Sequence, residues 1–315
     1  MGLIHKVKLK NILKVIKNWR NPFYVRNSIL YKLIRLLNRE NNGINIFEEE
    51  WDNLIILDAC RYDIFNIFKD NTSNNALLKK KISRGSHTIG FLKENFLQES
   101  YDGIVYITAN PHVDLLIKDK MYKVISVWKE GWNDKEKTVL PETIYQFTKA
   151  ALKKYPNKKL IIHFMQPHYP YIGHRTDKTF GNFKTSILNK KSKIELKHQN
   201  TDTINKWYAQ KVNSTLDERK LRKLYIRNFQ LVLNYVNKLI EILPGKIVVT
   251  ADHGEALGEK LKKWIPIKFY GHKEDLRIKQ LIEIPWLEIK NDKNRIDRDA
   301  YEKELILKGV KKSIK

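Results

Sequence analysis

The sequence predicts an α/β fold in which a mostly parallel central sheet is flanked by helices. Three short apolar runs indicate buried strands, and each leads to acidic or imidazole side chains: "LIIL" before Asp58, "LIIHF" before His168, and "KIVV" before Asp252 and His253. Longer helical patterns separate these runs, which is typical of right-handed βαβ units. Because open α/β sheets bind ligands at the carboxyl ends of their strands, we expect the three strand ends to converge on one site.

The elements follow in chain order from apolar periodicity. We predict a strand over residues 53–58, a helix near 61–69, a strand near 104–108, a helix over 141–155, a strand over 159–165, a helix over 217–243 and a strand over 246–251. Pro285 and Trp286 in "IEIPWLEI" predict an edge strand that closes the core, because proline cannot donate a hydrogen bond to a central ladder.

The chain has 315 residues, 42% of them hydrophobic, which suffices for a sizeable core. We expect a main domain over 45–290 with a basic insertion at about 175–223, a basic segment over 1–44 and a charged tail over 291–315. No apolar run approaches the ~20 residues of a membrane-spanning helix, and the single cysteine, Cys60, cannot form an internal disulfide. A cytoplasmic protein is therefore expected.

The charge balance is strongly basic, with 60 Lys and Arg against 35 Asp and Glu and a formal net charge of +25. Residues 1–40 contain ten Lys or Arg and one acid, and their apolar residues recur at helical spacing: Leu9, Ile12, Leu13, Ile16 and Trp19. Such a segment suits an anionic membrane surface, here the inner face of the membrane. The other interpretation is that its apolar stripe packs on the main domain.

Nucleic acid is a second class of anionic partner that a net charge of +25 makes plausible. No zinc-finger, helix-turn-helix or RNP aromatic pattern occurs in the sequence, so we expect no specific nucleic-acid partner. An anionic ester substrate is the remaining small-molecule interpretation.

Five motifs occur in a fixed order over residues 54–288: "LDACRYD", "SRGSHTIGFLKENF", "HFMQPHYPY", "VVTADHGEALGE" and "YGHKEDL…IPWLEI". In this order they resemble the alkaline phosphatase and sulfatase superfamily, particularly its archaeal sulfatase-like branch. The resemblance implies that the main domain is a metal-dependent hydrolase or transferase. It implies action on phosphate esters, less often sulfate esters, through a Thr or Ser nucleophile. If residues 1–40 bind a membrane, a lipid-linked or glycan-linked substrate is expected.

The resemblance also implies the ligands of a divalent cation, Mn²⁺, Zn²⁺, Mg²⁺ or Ca²⁺. Asp58, Asp252 and His253 match the family's ligands, with Thr88 and His272 as further candidates. Two-metal members carry an extra Asp before the position of His168, where this chain has Met165 and Gln166, so one ion is expected rather than two. The alternatives are that Asp58 caps a helix and that His253 is a core residue.

Two hydroxyls in "GSHTIGF" are candidates for the nucleophile. We choose Thr88, because it aligns with the modified Cys of sulfatases, and place Ser86 second; the alternative is that both cap the following helix. The chain lacks the Cys-x-Pro-Ser-Arg and Cys-x-Ala-x-Arg motifs that mature into formylglycine. Arylsulfatase chemistry by that route is therefore not expected.

Three more side chains have predicted roles at the site. Arg61 could bind a phosphoryl oxygen or form an ion pair with Asp63. His168 resembles the family's substrate-oxygen donor and could also protonate the leaving group. His272 resembles the last active-site residue of the family, with a second metal site or general acid catalysis as alternatives. The competing hypothesis is a degenerate relative that binds anionic lipid or nucleic acid without catalysis.

Overall fold

The structure is a computed structural model that describes residues 41–72, 76–174, 218–262, 265–274 and 276–291. The predicted amphipathic segment within 1–40 and residues 175–217 of the basic insertion lie outside the described residues, as does the tail beyond 291. In the described part of the chain, no helix is long and apolar enough to cross a membrane.

The strands in the described ranges are β1 (Asn53–Leu57), β2 (Leu77–Ile82), β3 (Tyr101–Thr108), β4 (Met121–Ser126), β5 (Trp132–Asn133), β6 (Thr138–Val139), β7 (Lys159–Phe164), β8 (Gly245–Ala251), β9 (Ala256–Lys262), β10 (Ile265–Gly271) and β11 (Glu283–Asn291). The helices are α1 (Tyr62–Ile67), α2 (Thr88–Phe96), α3 (Pro111–Leu116), α4 (Val127–Glu130), α5 (Pro141–Lys154), α6 (Glu218–Ile242) and α7 (Lys279–Ile282). Single 3₁₀ turns span Lys69–Asn71 and Lys118–Lys120.

Seven strands form the central sheet in the order β2-β11-β8-β1-β7-β3-β4. The pairs from β8 to β4 are parallel, and β11 runs antiparallel to both of its neighbours. This confirms the predicted α/β fold with a mostly parallel sheet and flanking helices. The predicted strands and helices over 53–58, 104–108, 141–155, 159–165, 217–243 and 246–251 all occur, with ends that differ by up to three residues.

The prediction of an edge strand at Pro285 is wrong, because β11 lies between β8 and β2. Proline is tolerated there because β11 pairs with β8 only from Trp286 onward. The carbonyl of Pro285 accepts a hydrogen bond from the Thr250 hydroxyl at 2.7 Å instead. On this side of the sheet the edge strand is β2. Its sequence "LLKKKI" places lysines along the exposed strand, as edge strands often do.

Helices cover both faces of the sheet. On one face α5 and α6 pack over Ile55, Leu57 and Ile162; on the other, α2 packs over Ile56 and Ile161. The helix α6 forms because apolar residues recur every three or four positions along its 25 residues, and these form its buried stripe: Leu221, Tyr225, Phe229, Val232, Val236 and Leu239. The helices cover the two faces of the sheet, and the site residues follow the carboxyl ends of its parallel strands.

Candidate active site

The register of two neighbouring strands brings Asp58 and Asp252 together. Leu57, the last residue of β1, lies opposite Ala251, the last residue of β8, in a parallel pair. The next residue in each chain segment is an aspartate, and both carboxyl groups are almost fully buried. The predicted convergence of strand ends therefore holds for these two carboxylates.

The turn after β1 fixes their relative position. Ala59 lies in the left-handed region with a φ of 61°, a conformation that costs free energy for a residue other than glycine. Its N–H donates to Asp252 Oδ1 at 3.1 Å, and its carbonyl accepts from the Tyr225 hydroxyl at 2.7 Å. The helix that follows has Arg61 as its N-cap residue, so Asp58 does not cap it.

Asp58, Asp252 and His253 form what we term the first group. His253 Nε2 lies 3.6 Å from Asp58 Oδ1 and 3.4 Å from Asp252 Oδ2. His253 Nδ1 lies 2.7 Å from the carbonyl oxygen of Gly254, so Nδ1 carries the proton of the neutral ring. The lone pair of Nε2 therefore faces two carboxylate oxygens.

The first group lacks a positive charge of its own. Within the described part of the chain, Asp58 Oδ1 and Asp252 Oδ2 are buried without a hydrogen-bond partner. Burial and the charge of Asp252 raise the pKa of Asp58, and burial lowers the pKa of His253, so the imidazole offers the carboxylates no positive charge. A divalent cation would satisfy both carboxylates and the imidazole at once, and the donor set fits one.

Thr88 is the first residue of α2, and its Oγ1 lies 3.4 Å from His253 Nε2. The Ser86 hydroxyl instead donates to the carbonyl of Lys273 at 2.8 Å. Capping does not explain either hydroxyl, because the N-cap residue is His87 and its side chain makes no capping bond. Of the two candidate nucleophiles, Thr88 is thus the one that contacts the first group.

His168, Glu255 and His272 form a second group of possible metal ligands next to the first. His272 Nδ1 lies 3.2 Å from Glu255 Oε1, and the ring centroids of His272 and His253 are 4.3 Å apart. Burial raises the pKa of Glu255 to about 7 and lowers that of His272 to about 4. The structure therefore places His272 with His168 and Glu255, beside the first group rather than within it.

One asparagine holds the loop that presents His168. Asn228, buried on α6, donates from Nδ2 to the carbonyls of Pro167, His168 and Pro170 at 3.1 to 3.3 Å. Its Oδ1 accepts from the N–H of Ile172 at 3.2 Å. His168 Nδ1 contacts the carbonyl of Tyr169 and must carry the ring proton, so Nε2 of the neutral ring has a lone pair.

Arg61 makes the ion pair that was the alternative to phosphoryl binding. Its Nε and Nη2 donate to the two carboxylate oxygens of Asp63 at 2.9 and 2.7 Å. Its Nη1 donates to the carbonyl of Glu255 at 3.1 Å and also contacts Glu259. These contacts connect the turn after β1 to the β9 segment and occupy the guanidinium group.

Asn110, which follows β3 at the same end of the sheet, was not among the predicted site residues. Its Nδ2 donates to Asp58 Oδ2 at 2.8 Å and lies 3.5 Å from Thr88 Oγ1, while its Oδ1 accepts from the N–H of His112 at 3.0 Å. The strand-end rule that identified Asp58 would have identified it. Glu255 was missed because it follows the Asp-His-Gly motif and no apolar run points to it.

No protein-family model and no curated protein sequence matches the chain. Among solved structures, the chain is similar to the integral membrane protein lipooligosaccharide phosphoethanolamine transferase A (EptA) from Neisseria meningitidis, with 12% identity and a TM-score of 0.50. The match covers 96% of this chain and 62% of that one, so this chain spans less than two thirds of that neighbour's length.

The chain is also similar to the soluble domain of lipooligosaccharide phosphoethanolamine transferase A from Neisseria meningitidis, with 14% identity, coverage of 80% of both chains and a TM-score of 0.49. A further neighbour is the C-terminal periplasmic domain of Escherichia coli EptC in complex with Zn, with 14% identity, coverage of 80% and 76% and a TM-score of 0.48. These neighbours do not support the predicted cytoplasmic location, and the archaeal sulfatase-like branch stays a prediction. At such identities the likeness establishes the fold alone: the chain has the alkaline phosphatase-like α/β fold that the resemblance implied.

Proposed function

We propose that the chain is a metal-dependent enzyme that moves a phospho group from an ester to water or to an acceptor hydroxyl, with Thr88 as the nucleophile. One observation carries the proposal: Asp58 Oδ1 and Asp252 Oδ2 are buried beside His253 Nε2 and Thr88 Oγ1 and have no hydrogen-bond partner among the residues that the structure describes. A degenerate, non-catalytic relative would have no reason to keep two unpaired carboxylate oxygens next to a helix-terminal hydroxyl.

Asp58, Asp252 and His253 would hold the cation, with the Thr88 hydroxyl as a fourth donor. Two carboxylates and an imidazole suit Zn²⁺ or Mn²⁺, and Mg²⁺ or Ca²⁺ is compatible with the carboxylates. The bound ion supplies positive charge that favours ionisation of the Thr88 hydroxyl and stabilises charge on the ester oxygens. Asn110 orients Asp58 through its 2.8 Å hydrogen bond to Oδ2.

The reaction proceeds in two displacements. Thr88 Oγ1 loses its proton and forms a bond to phosphorus, while the bond between phosphorus and the leaving-group oxygen breaks and that oxygen gains a proton. The oxygen of an acceptor hydroxyl, from water or from an alcohol, then loses its proton and bonds to phosphorus, while the bond between phosphorus and Thr88 Oγ1 breaks and Oγ1 regains a proton. Hydrolysis and transfer thus differ only in the acceptor.

We propose that the second group faces the oxygens of the leaving group and the acceptor. His168 Nε2 has a lone pair in the neutral ring, so it can accept a proton from an attacking hydroxyl rather than donate one. The donors of the second group also fit a second, more weakly held cation. Glu255 provides the carboxylate that two-metal members have as an Asp before the position of His168. The first group remains the site of the tightly held ion.

The proposed substrate is an anionic phosphate ester on a lipid or a glycan. The fold neighbours are phosphoethanolamine transferases. Two of them are named for lipooligosaccharide, which is a glycan-bearing lipid. The basic residues in 1–40 would bring such a substrate to the site at an anionic membrane surface.

The test is metal-dependent turnover of a chromogenic diester, bis(p-nitrophenyl) phosphate, with p-nitrophenyl sulfate as the matched sulfate probe. We expect turnover with Mn²⁺, Zn²⁺ or Mg²⁺ and at least about 100-fold less in metal-free protein, because a Lewis acid contributes several kcal/mol to such transition states. Faster release from the sulfate would assign sulfuryl transfer instead. Full turnover in excess chelator, with metal removal verified by elemental analysis, would refute the proposal.

Membrane binding is tested separately on anionic liposomes. Deletion of residues 1–40 should release the protein at low salt without changing turnover of the small diester, because each Lys or Arg near the surface contributes about 1 kcal/mol. The full-length variant with Lys8, Lys10, Lys14 and Lys17 all replaced by Gln should bind the liposomes more weakly while remaining folded. If deletion unfolds the protein and the Gln variant binds like wild type, the segment packs on the main domain instead.

A further inference from the structure

A buried Tyr–His pair lies beneath the first group, in the middle of the sheet. Tyr106 is on β3 and His163 is on β7, which neighbours β1, and both side chains are fully buried. In the register of these strands His163 lies opposite Ile56, two residues before Asp58. No step of the proposed reaction uses either residue, and neither was a predicted site residue.

The pair makes one hydrogen bond and leaves one polar atom without a partner. The Tyr106 hydroxyl lies 3.0 Å from His163 Nδ1. On the other side of the ring, His163 Nε2 lies 3.9 Å from Asp252 Oδ2, and neither of these buried atoms has a hydrogen-bond partner in the described ranges. Burying a polar side chain that is only partly satisfied costs free energy, so the arrangement calls for a physical reason.

Hydrogen-bond chemistry fixes the tautomer of His163. If Nδ1 carried the proton, the lone pair of Nε2 would face the carboxylate of Asp252, and the Tyr106 hydroxyl proton would lose its acceptor. If the Tyr106 hydroxyl donates to Nδ1, then Nε2 carries the proton and points it at Asp252 Oδ2.

We propose that His163 is a positioning residue for the metal ligand Asp252, with its donor tautomer set by Tyr106; this rests on the proposed function of Asp252 as a ligand. Oδ1 of Asp252 already accepts the N–H groups of Ala59 and His253 at 3.1 and 2.9 Å. The N–H of His163 acts on the other oxygen, Oδ2, which has two lone pairs and can accept one donor while it binds a cation. A full hydrogen bond needs the two atoms to approach by about 1 Å.

The electrostatic consequence concerns the affinity for the ion. Partners in the second layer of a metal site orient the ligand, and their loss typically costs about 10–100-fold in metal affinity. Tyr106 and His163 would thus act on the cation through Asp252 without touching the substrate or the reacting atoms. A packing role alone would depend on the volume of the ring rather than on its N–H donor.

The experiment measures the affinity of the full-length protein for Mn²⁺ and Zn²⁺ by competition with a chromogenic chelator, with thermal unfolding recorded in parallel. His163→Leu removes the donor, and His163→Gln keeps an N–H donor of similar reach. Tyr106→Phe removes only the hydroxyl that sets the tautomer. Tyr101→Phe is the matched control on the same strand, because its hydroxyl donates to the carbonyl of Asn95 at 3.0 Å, away from the first group.

We expect His163→Leu to weaken metal binding by about 10–100-fold, Tyr106→Phe to weaken it in the same direction by less, and His163→Gln and Tyr101→Phe to stay near wild type. Wild-type affinity in His163→Leu would overturn the inference, as would equal losses in the Leu and Gln variants. If His163→Leu does not fold, equal affinities of Tyr106→Phe and Tyr101→Phe would overturn it. A wild-type protein that binds neither ion overturns the proposed function itself, and the inference falls with it.

Discussion

Thr88→Ala is expected to abolish phospho-group turnover while the protein keeps its metal ion. The three side chains of the first group remain in place, so the ion is still held, whereas no hydroxyl remains to accept the phospho group. Loss of a nucleophile costs on the order of 10⁴–10⁶-fold in kcat in hydrolases that depend on one. The measurement is steady-state turnover of bis(p-nitrophenyl) phosphate together with metal content by elemental analysis.

Two variants act as controls for the hydroxyl. Thr88→Ser keeps an oxygen at the N-terminus of α2 and should retain part of the turnover. Ser86→Ala should remain active, because the Ser86 hydroxyl bonds to the carbonyl of Lys273 rather than facing the first group. Substantial turnover in Thr88→Ala would point to direct attack by water, and loss confined to Ser86→Ala would transfer the role to Ser86.

Asp252→Asn is expected to remove both the ion and the activity. The amide has the size of the carboxylate but lacks its charge, and its NH₂ group offers no lone pair to a cation. We expect metal affinity to fall by at least about 100-fold, because loss of a direct ligand should exceed the roughly 10–100-fold cost of losing a second-layer partner. Chelator competition measures the affinity, and turnover is recorded at saturating Mn²⁺.

Asp63→Asn is the matched control for this substitution. Asp63 is a partly exposed carboxylate on α1 that pairs with Arg61, and it lies outside both groups of possible ligands. Its variant should bind the ion like wild type and lose little turnover. If Asp252→Asn also keeps wild-type metal affinity, the ion is not held by the first group.

The parallel strands and their site residues could be predicted from sequence because both follow from local patterns. A short β-branched run that ends at a charged residue specifies a buried strand, and parallel strands deliver their ends to one edge. Asp58, Asp252 and His253 were found this way and lie together. Asn110 also follows the end of a strand, β3, so the same pattern predicts it as a site residue.

Pairing order could not be derived from local pattern. Proline favours an edge strand in general. The internal strand β11 tolerates Pro285 because its pairing with β8 begins one residue later, at Trp286. The edge strand β2 has an exposed, lysine-rich sequence without an apolar alternation, so its strand character comes from pairing with β11. Such long-range pairing is a property of the whole sheet.

The residues of the second group could not be predicted as a set from local sequence patterns either. Glu255 and His272 are brought together by the β9–β10 hairpin, which turns the chain back beside His253. The resemblance named His272 as a candidate ligand or general acid but did not indicate that it lies beside Glu255. The Tyr106–His163 pair depends on the register between β3 and β7, which no local signal encodes.

The most direct test of the central claim is to identify the residue that carries the phospho group during turnover. Wild-type protein is mixed with a slow phosphodiester and quenched, and its peptides are analysed by high-resolution mass spectrometry, with Thr88→Ala treated in parallel. The account predicts an adduct on Thr88 that contains the phosphorus and one ester group of the diester, because one displacement expels one leaving group, and no adduct in the variant. An adduct on Ser86, or turnover without any adduct that proceeds equally in Thr88→Ala, would contradict it.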